Sequence, residues 1–500
     1  MKCTEPRQYT REAMKELFDF CLLPLEDQEY MEPLWMDMAK KMDINDEVVY
    51  HAMNEWLPET KDIRYKGVRM AIGATLYEFC DIQRLQNRID SGEQVERLYG
   101  VMPVVLAPYY TIKAAAGDKA YVGFPDLLFM EVMQQFFHHA DHLFELSEEN
   151  GMAYGVRHCA LNKVGIAGRL SGVVPDPTVM WSWGLVCDEA TKIDEFLKYK
   201  QGGTWKSFLT RYPHDTYWGE VDYDDEERTA YLAKSLKNAI AGIADTMGIE
   251  VLPEHSAQAV QAFLGYMGKF AAISGVIAQA EVPPIRNNTL SILSLPAAIP
   301  FNAGFDRLAK ACDVLVEELK EAVAEGYGIV PKGAPRVGMY FNPGNNPWFE
   351  ALLNKNGVAI VASMTSAPDN HSRRPSKYTD PYMQMAEQWQ HMDFGMNCGC
   401  STDDWVDKLT NSRAEAMICG FLDYDRWLNQ LQKVGAQEIE KKLGIPTFYL
   451  EADFYDDRDY SEEALRTRVE TMSSIIKMNT RKRRLKAEKE AKASEAAPVE

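Results

Sequence analysis

From residue 336 to residue 453 the chain repeats one pattern: a short aliphatic run, a loop, then an amphipathic stretch. Residues 336–340 read as strand, 342–347 as loop, 348–353 as helix and 357–362 as strand. A helix near 381–392 follows, then a turn at 397–400 carrying Cys398 and Cys400, and a helix to Ser412. Residues 416–421 are strand, 426–443 helix, 447–453 strand and 461–478 helix. Strands separated by helices of this length are joined by crossovers. The pattern therefore predicts a parallel sheet with helices on both faces. The restart of the pattern at Arg336 predicts two such units, so the expected fold class is α/β, with two flavodoxin-like parallel-sheet lobes.

An earlier stretch, 154–192, carries the chemistry-bearing residues of the first unit. It contains Cys159 and Cys187. Residues 179–186 are rich in β-branched and aromatic side chains and read as a buried strand entered through Pro175 and Pro177. Cys187 then falls just past the carboxyl end of that strand, the edge at which open α/β sheets bind ligands. Asp188 and Glu189 open a helical pattern with carboxylates in its first turn. Cys159 precedes Gly165, Gly168 and Gly172, where backbone can approach a ligand closely. Trp181 and Trp183 are expected to pack in the core. A free cysteine ordinarily packs as a small hydrophobe. These two differ in lying at loop edges.

The remaining organisation is read as a helical N-terminal extension over 1–100, a first lobe with a helical insert over 101–330, a second lobe over 331–478 and a disordered charged tail over 479–500. A short strand is expected at 101–108. His138 and His142 are spaced as on one face of a helix and could bind a metal, although the HExxH pattern is absent. No GxGxxG follows a strand, and there is no P-loop and no GxSxG, which argues against dinucleotide binding by the usual loop, ATP hydrolysis and serine hydrolysis.

Composition narrows the partners. The formal charge is −20 over 500 residues, which disfavours nucleic acid and anionic membranes. No run approaches about 18 apolar residues, so no membrane span is expected. The charged N-terminus does not read as a signal peptide. Nine cysteines, odd in number and scattered, suit a reducing cytoplasmic setting better than a disulfide framework.

Taken together, the segments resemble subunits of the 2-hydroxyacyl-CoA dehydratase and benzoyl-CoA reductase family. Residues 444–453, GIPTFYLEAD, resemble a strand of that family, and Thr467-Arg468-Val469-Glu470 resembles the start of its next helix. The Cys159 segment and the segment from Cys187 to Lys192 resemble two of its three cluster-cysteine regions. Residues 336–339 and 357–361 resemble the first two strands of its last domain. The resemblance runs from about residue 100 to 478. It implies an oxygen-sensitive enzyme of anaerobic metabolism, a lyase or an acyl-CoA reductase. Such an enzyme holds a [4Fe–4S] cluster on three cysteines and uses single-electron, ketyl-radical chemistry on an acyl-CoA thioester. It also implies a homologous second subunit and a separate ATP-dependent activator as electron donor. The third cysteine departs from the family pattern. The aligned position falls near Asp425, and the nearest cysteine is Cys419. The expected metal and cofactor ligands are thus Cys159, Cys187 and Cys419, with Asp425 as the fallback. Three readings stay open: a dehydratase subunit, a benzoyl-CoA reductase-like subunit that reduces an aromatic acyl-CoA, and a cluster-free structural partner.

Overall fold

The computed structural model describes residues 7–100, 106–154, 158–184, 192–211, 226–294, 299–340, 346–363, 375–390, 398–421, 426–451, 455–458 and 461–495. Among these, eight strands form two sheets. β1 (Glu96–Gly100), β2 (Ala120–Gly123), β3 (Val179–Gly184) and β4 (Lys206–Arg211) make the first. β5 (Arg336–Tyr340), β6 (Ala359–Ala362), β7 (Ala416–Phe421) and β8 (Thr447–Glu451) make the second. The spatial orders are β2-β1-β3-β4 and β6-β5-β7-β8. Every pairing is parallel. The two sheets repeat one topology, and the fold is a two-lobed α/β architecture with flavodoxin-like strand order.

Burial explains why these residues form these strands. β2, β5 and β6 are buried along their whole length, as parallel strands covered on both faces should be. β4 is an edge strand, mostly exposed and carrying Lys206, Ser207 and Arg211. Trp181 sits in the core as expected, fully buried. Its Nε1 donates to Thr210 Oγ1 at 2.9 Å, its carbonyl accepts from Tyr109 Oη at 2.8 Å, and its ring lies 4.7 Å from that of Tyr109. The side chain of Trp183 lies outside the described residues.

The start of the first sheet differs from the expectation. Its first strand is Glu96–Gly100, inside the stretch read as purely helical, and residues 101–105 lie outside the described ones. A helix, Ala107–Ala116, already begins where a strand was expected to end, with Pro108 in its first turn. Proline is tolerated there because that turn has no hydrogen bond for its missing N–H to make. Gly100 ends β1 because a Cβ would fall 1.4 Å from the ring of Phe124. β2 carries too few residues to stand out as a periodic run and was not read from the sequence.

Two connections leave the carboxyl edge of the second sheet and dock on the first lobe. Helix Pro381–Gln390, between β6 and β7, buries Met385, Ala386 and Trp389 in the core cluster of the first lobe. Gln390 donates to Thr229 Oγ1 at 2.7 Å. Tyr455, after β8, is buried in that same core.

The C-terminal helix is longer than expected. It runs Glu462–Glu495, through most of the stretch read as a disordered tail. Arg484 anchors it past residue 479 by pairing with Glu415 and donating to Gly333 O at 2.9 Å. Helix Pro253–Gln279 is long and apolar enough to cross a membrane by length and composition, contrary to the expectation from unbroken apolar runs. Small and uncharged polar residues interrupt it without lowering its mean hydropathy far. One side, with Tyr266, Phe270, Ile273 and Ile277, is buried, and Tyr266 Oη donates to Leu293 O.

Candidate functional site

Cys159 is the N-cap residue of helix Ala160–Leu170, which precedes β3. A helix between parallel strands runs antiparallel to them, so its N-terminus lies at the carboxyl edge of the sheet, where ligands bind in such folds. Consistent with this, the middle of the helix packs on Asp126, three residues past the end of β2. The Cys159 carbonyl accepts from Asn162 N at 3.0 Å and Lys163 N at 3.2 Å. Cys159 is 7% exposed and forms no disulfide. The N–H groups of a helix's first turn favour negative charge near them.

Two of the glycines after Cys159 serve packing between elements. A Cβ on Gly165 would lie 2.2 Å from Cγ of Asp126, and one on Gly168 3.1 Å from Val174. They let helix Ala160–Leu170 close on helix Pro125–Met130, where Arg169 Nη2 pairs with Asp126 Oδ1 at 3.4 Å.

Cys419 lies in β7, paired in register with Tyr340 of β5 and Tyr449 of β8. Its side chain is fully buried among Tyr340, Trp405, Ala436 and Ile439, under helices Cys398–Asn411 and Arg426–Leu443. Burial pushes this thiol far above the usual range for cysteine. Cys187 and Asp425 lie outside the described residues, as do the side chains of Cys398 and Cys400. Among the described residues, no three of His, Cys, Asp and Glu gather as a metal site. The described part of the expected donor set is therefore one buried cysteine at a helix N-terminus and one cysteine two residues before a strand end, packed away from solvent.

The histidines do not share a helix face. The chain turns at 137–140 between the π-helical turn Glu131–Phe136 and helix Asp141–Glu149. His138 takes a left-handed conformation, φ 48°, which throws its ring flat against Trp56 at 4.0 Å. His142 pairs instead with His139, their rings 5.0 Å apart. Burial and the neighbouring His139 hold His142 down at about 4, so it is uncharged at neutral pH.

A charged cluster that the sequence reading missed joins the lobes beside Cys159. Lys163, one turn along the helix, places Nζ 2.8 Å from Glu148 Oε1 and 3.4 Å from Asp456 Oδ2. Arg458 Nη2 donates to both carboxylates at 2.7 Å, and its Nε donates to Asp456 Oδ1 at 2.9 Å. The guanidinium lies 4.8 Å over the ring of Phe144. Burial works against the Asp456 carboxylate, but the hydrogen bonds and charge of Arg458 and the charge of Lys163 outweigh it and hold its pKa below the usual value. Glu148 is held low in the same way, by Arg458 and Lys163. A lone lysine in the otherwise mostly apolar segment ALNKVGIAG was the one available sequence signal.

Comparison with known families finds one match. The family described as 2-hydroxyglutaryl-CoA dehydratase, D-component, matches residues 130–476. The match takes in β3 to β8 and includes Cys159, Cys187, Cys419 and the Lys163–Asp456 pair, while β1 and β2 precede it. No curated protein matches the chain.

Proposed function

We propose, from the premise that the chain belongs to the 2-hydroxyglutaryl-CoA dehydratase D-component family, that it is the cluster-bearing subunit of a complex that removes water from a 2-hydroxyacyl-CoA. Membership makes it a dehydratase-type component of a hetero-oligomeric enzyme acting on a CoA thioester. The finer reading concerns how the hydroxyl leaves. The carbon bearing it is poorly activated, and a [4Fe–4S] cluster, when bound, supplies the single electron that turns the thioester carbonyl into a ketyl able to expel hydroxide. The observation that carries this reading is Cys159 standing as a helix N-cap at the carboxyl edge of the first sheet.

In this reading Cys159 and Cys187 ligate from the first lobe and Cys419 from the second, with Asp425 as the fallback. The helix capped by Cys159 offers N–H dipoles to a negatively charged cluster, and Trp181 of β3 with Tyr109 packed on it supplies buried apolar surface along that strand. The partners are a homologous second subunit, the acyl-CoA substrate and an ATP-dependent activator that delivers electrons, in a cytoplasmic, anaerobic setting.

A second reading has a specific observation in its favour. Cys419 packs inside the lobe core, which suits a structural subunit that leaves the cluster to its partner. Anaerobic co-purification with the partner, with iron and sulfide analysis of each separated subunit, tests both. The proposal expects iron on this chain and conversion of a 2-hydroxyacyl-CoA to the 2-enoyl-CoA with activator, ATP and reductant. Iron on the partner alone supports the structural reading. Reduction of an aromatic acyl-CoA, with no dehydration, would replace dehydratase by reductase.

A further inference from the structure

Three consecutive residues after β8 each grip a different element of the first lobe. The carbonyl of Tyr455 accepts from Gln134 Nε2 at 3.2 Å. Asp456 pairs with Lys163 of the Cys159 helix. Asp457 Oδ2 lies 3.4 Å from His138 Nε2. Arg458 then returns to Asp456 and reaches Glu148 of helix Asp141–Glu149. This is the connection that leaves the carboxyl edge of the second sheet, next to the strand that carries Cys419. It ends one helical turn from Cys159, through Lys163, whose backbone N–H donates to the Cys159 carbonyl.

We propose that Asp456 is a positioning residue. Held between Lys163 and Arg458, it registers the β8 connection against the helix capped by Cys159, and so sets where the Cys159 thiol stands relative to the second sheet. Its bearing on catalysis rests on the reading of Cys159 as a cluster ligand, while the register itself does not.

The choice of residues supports this role over plain stabilisation. A buried ion pair contributes little net stability compared with apolar side chains of the same volume, because both charges must be desolvated. What charges supply in exchange is direction. A carboxylate that accepts from Arg458 Nε and Nη2 and faces Lys163 Nζ has one arrangement, where an apolar contact would tolerate sliding. Both Lys163 and Asp456 side chains have no solvent exposure, so water cannot substitute for either partner. Displacement of one lobe edge against the other would part Lys163 from Asp456 and Arg458 from Glu148, which costs two contacts between buried charges even though Lys163 keeps Glu148 and Asp456 keeps Arg458.

Selective labelling of Cys159 tests the proposal in the full-length chain. Cys80 and Cys312, buried and remote in sequence from the cluster of charges, serve as internal references. Each variant is treated with iodoacetamide after aerobic loss of any bound iron, and the cysteine peptides are quantified by mass spectrometry. Asp456→Asn is expected to raise the labelling rate of Cys159 by about tenfold or more, with Cys80 and Cys312 unchanged, because only the local register is released. Asp456→Glu is expected to recover most of the protection. Lys163→Met, which keeps the stem and removes the charge, carries the same comparison should Asp456→Asn not fold. The double variant is expected to label no faster than the faster single. A parallel rise at all three cysteines, or no change at Cys159, overturns the proposal, since either means that the pair does not position the thiol. Iron analysis of the anaerobically purified wild-type chain separates the two levels. Absence of iron counts against the functional reading of Cys159, while the labelling contrast still decides the register.

Discussion

Lys163 and Asp456 meet inside the protein, Nζ to Oδ2 at 3.4 Å, one from the helix that leads into β3 and the other from the connection that leaves β8. With Glu148 and Arg458 they form, among the described residues, a cluster of two cations and two carboxylates that ties the connection after β8 to the first lobe.

Removing Lys163 takes one positive charge out of a buried cluster in which Arg458 still pairs with both carboxylates. Lys163→Met is expected to lower stability by about 3–5 kcal/mol, read as the shift of the urea midpoint at unchanged slope. Adding Asp456→Asn is expected to cost less than the sum of the two single changes, because the pair acts as one unit. Strict additivity would show that the two side chains do not interact.

Acid should loosen the same cluster. The pKa of Asp456 is depressed on folding, so its contribution is fully present above its ordinary value of 3.8 and is lost as pH falls through the lower folded value. Glu148 behaves alike, from an ordinary value of 4.5. Wild type is expected to lose stability on acidification through that window more steeply than Asp456→Asn. Equal acid profiles would remove Asp456 from the account.

Glu350 should work with the opposite sign. Burial pushes it up to about 7, although it accepts the backbone N–H groups of Asn287 at 2.8 Å and Asn288 at 2.6 Å. A carboxyl raised on folding stabilises fully below its unfolded value of 4.5 and loses that contribution as pH rises through about 7. Buried Glu131 is likewise raised to about 7, so a residual slope persists when Glu350 is replaced. Thermal unfolding at about pH 5 and about pH 8 is expected to show a larger loss for wild type than for Glu350→Gln. Identical losses would assign the pH dependence elsewhere.

Gly165→Ala tests the close approach beneath Cys159. A Cβ 2.2 Å from Asp126 Cγ forces the carboxylate away from Arg169, with an expected cost of about 1–3 kcal/mol. Gly172→Ala is the contrast. Nothing lies within 4 Å of its Cβ position, but its φ of +74° strains an L side chain, so its cost is backbone strain alone, about 1 kcal/mol. Chemical denaturation of both variants checks the order, and a smaller loss at Gly165 would contradict the packing argument.

Iron content decides among the proposed ligands. Cys159→Ser is expected to abolish iron binding in anaerobically purified protein. Of Cys419→Ser and Asp425→Ala, the one that lowers iron identifies the donor from the second lobe. If the wild-type chain holds iron and neither change lowers it, Cys398 and Cys400 become the candidates.

Strand–helix alternation with apolar runs was enough to read β3 and β5 to β8 except for their exact ends, because strands packed between helices leave aliphatic signatures and each crossover is local in sequence. β1 and β2 were not legible. Glu96 and Arg97 open one, and the other is four residues long, so neither carries a periodic signal. That Cys159 lies at a loop edge was readable; that it caps a helix was not, because Gly165 and Gly168 inside the segment after it mask a helical run. The packing of Cys419 was not, because alternation along β7 decides only which face a side chain takes, and the helices from 398 and 426 decide how deeply that face is covered. The Lys163–Asp456 pair joins residues 293 positions apart. No local period or propensity encodes such a pairing. It exists because two sheets, each specified by its own local pattern, come to rest with their carboxyl edges joined, and a buried charge there must find an opposite one.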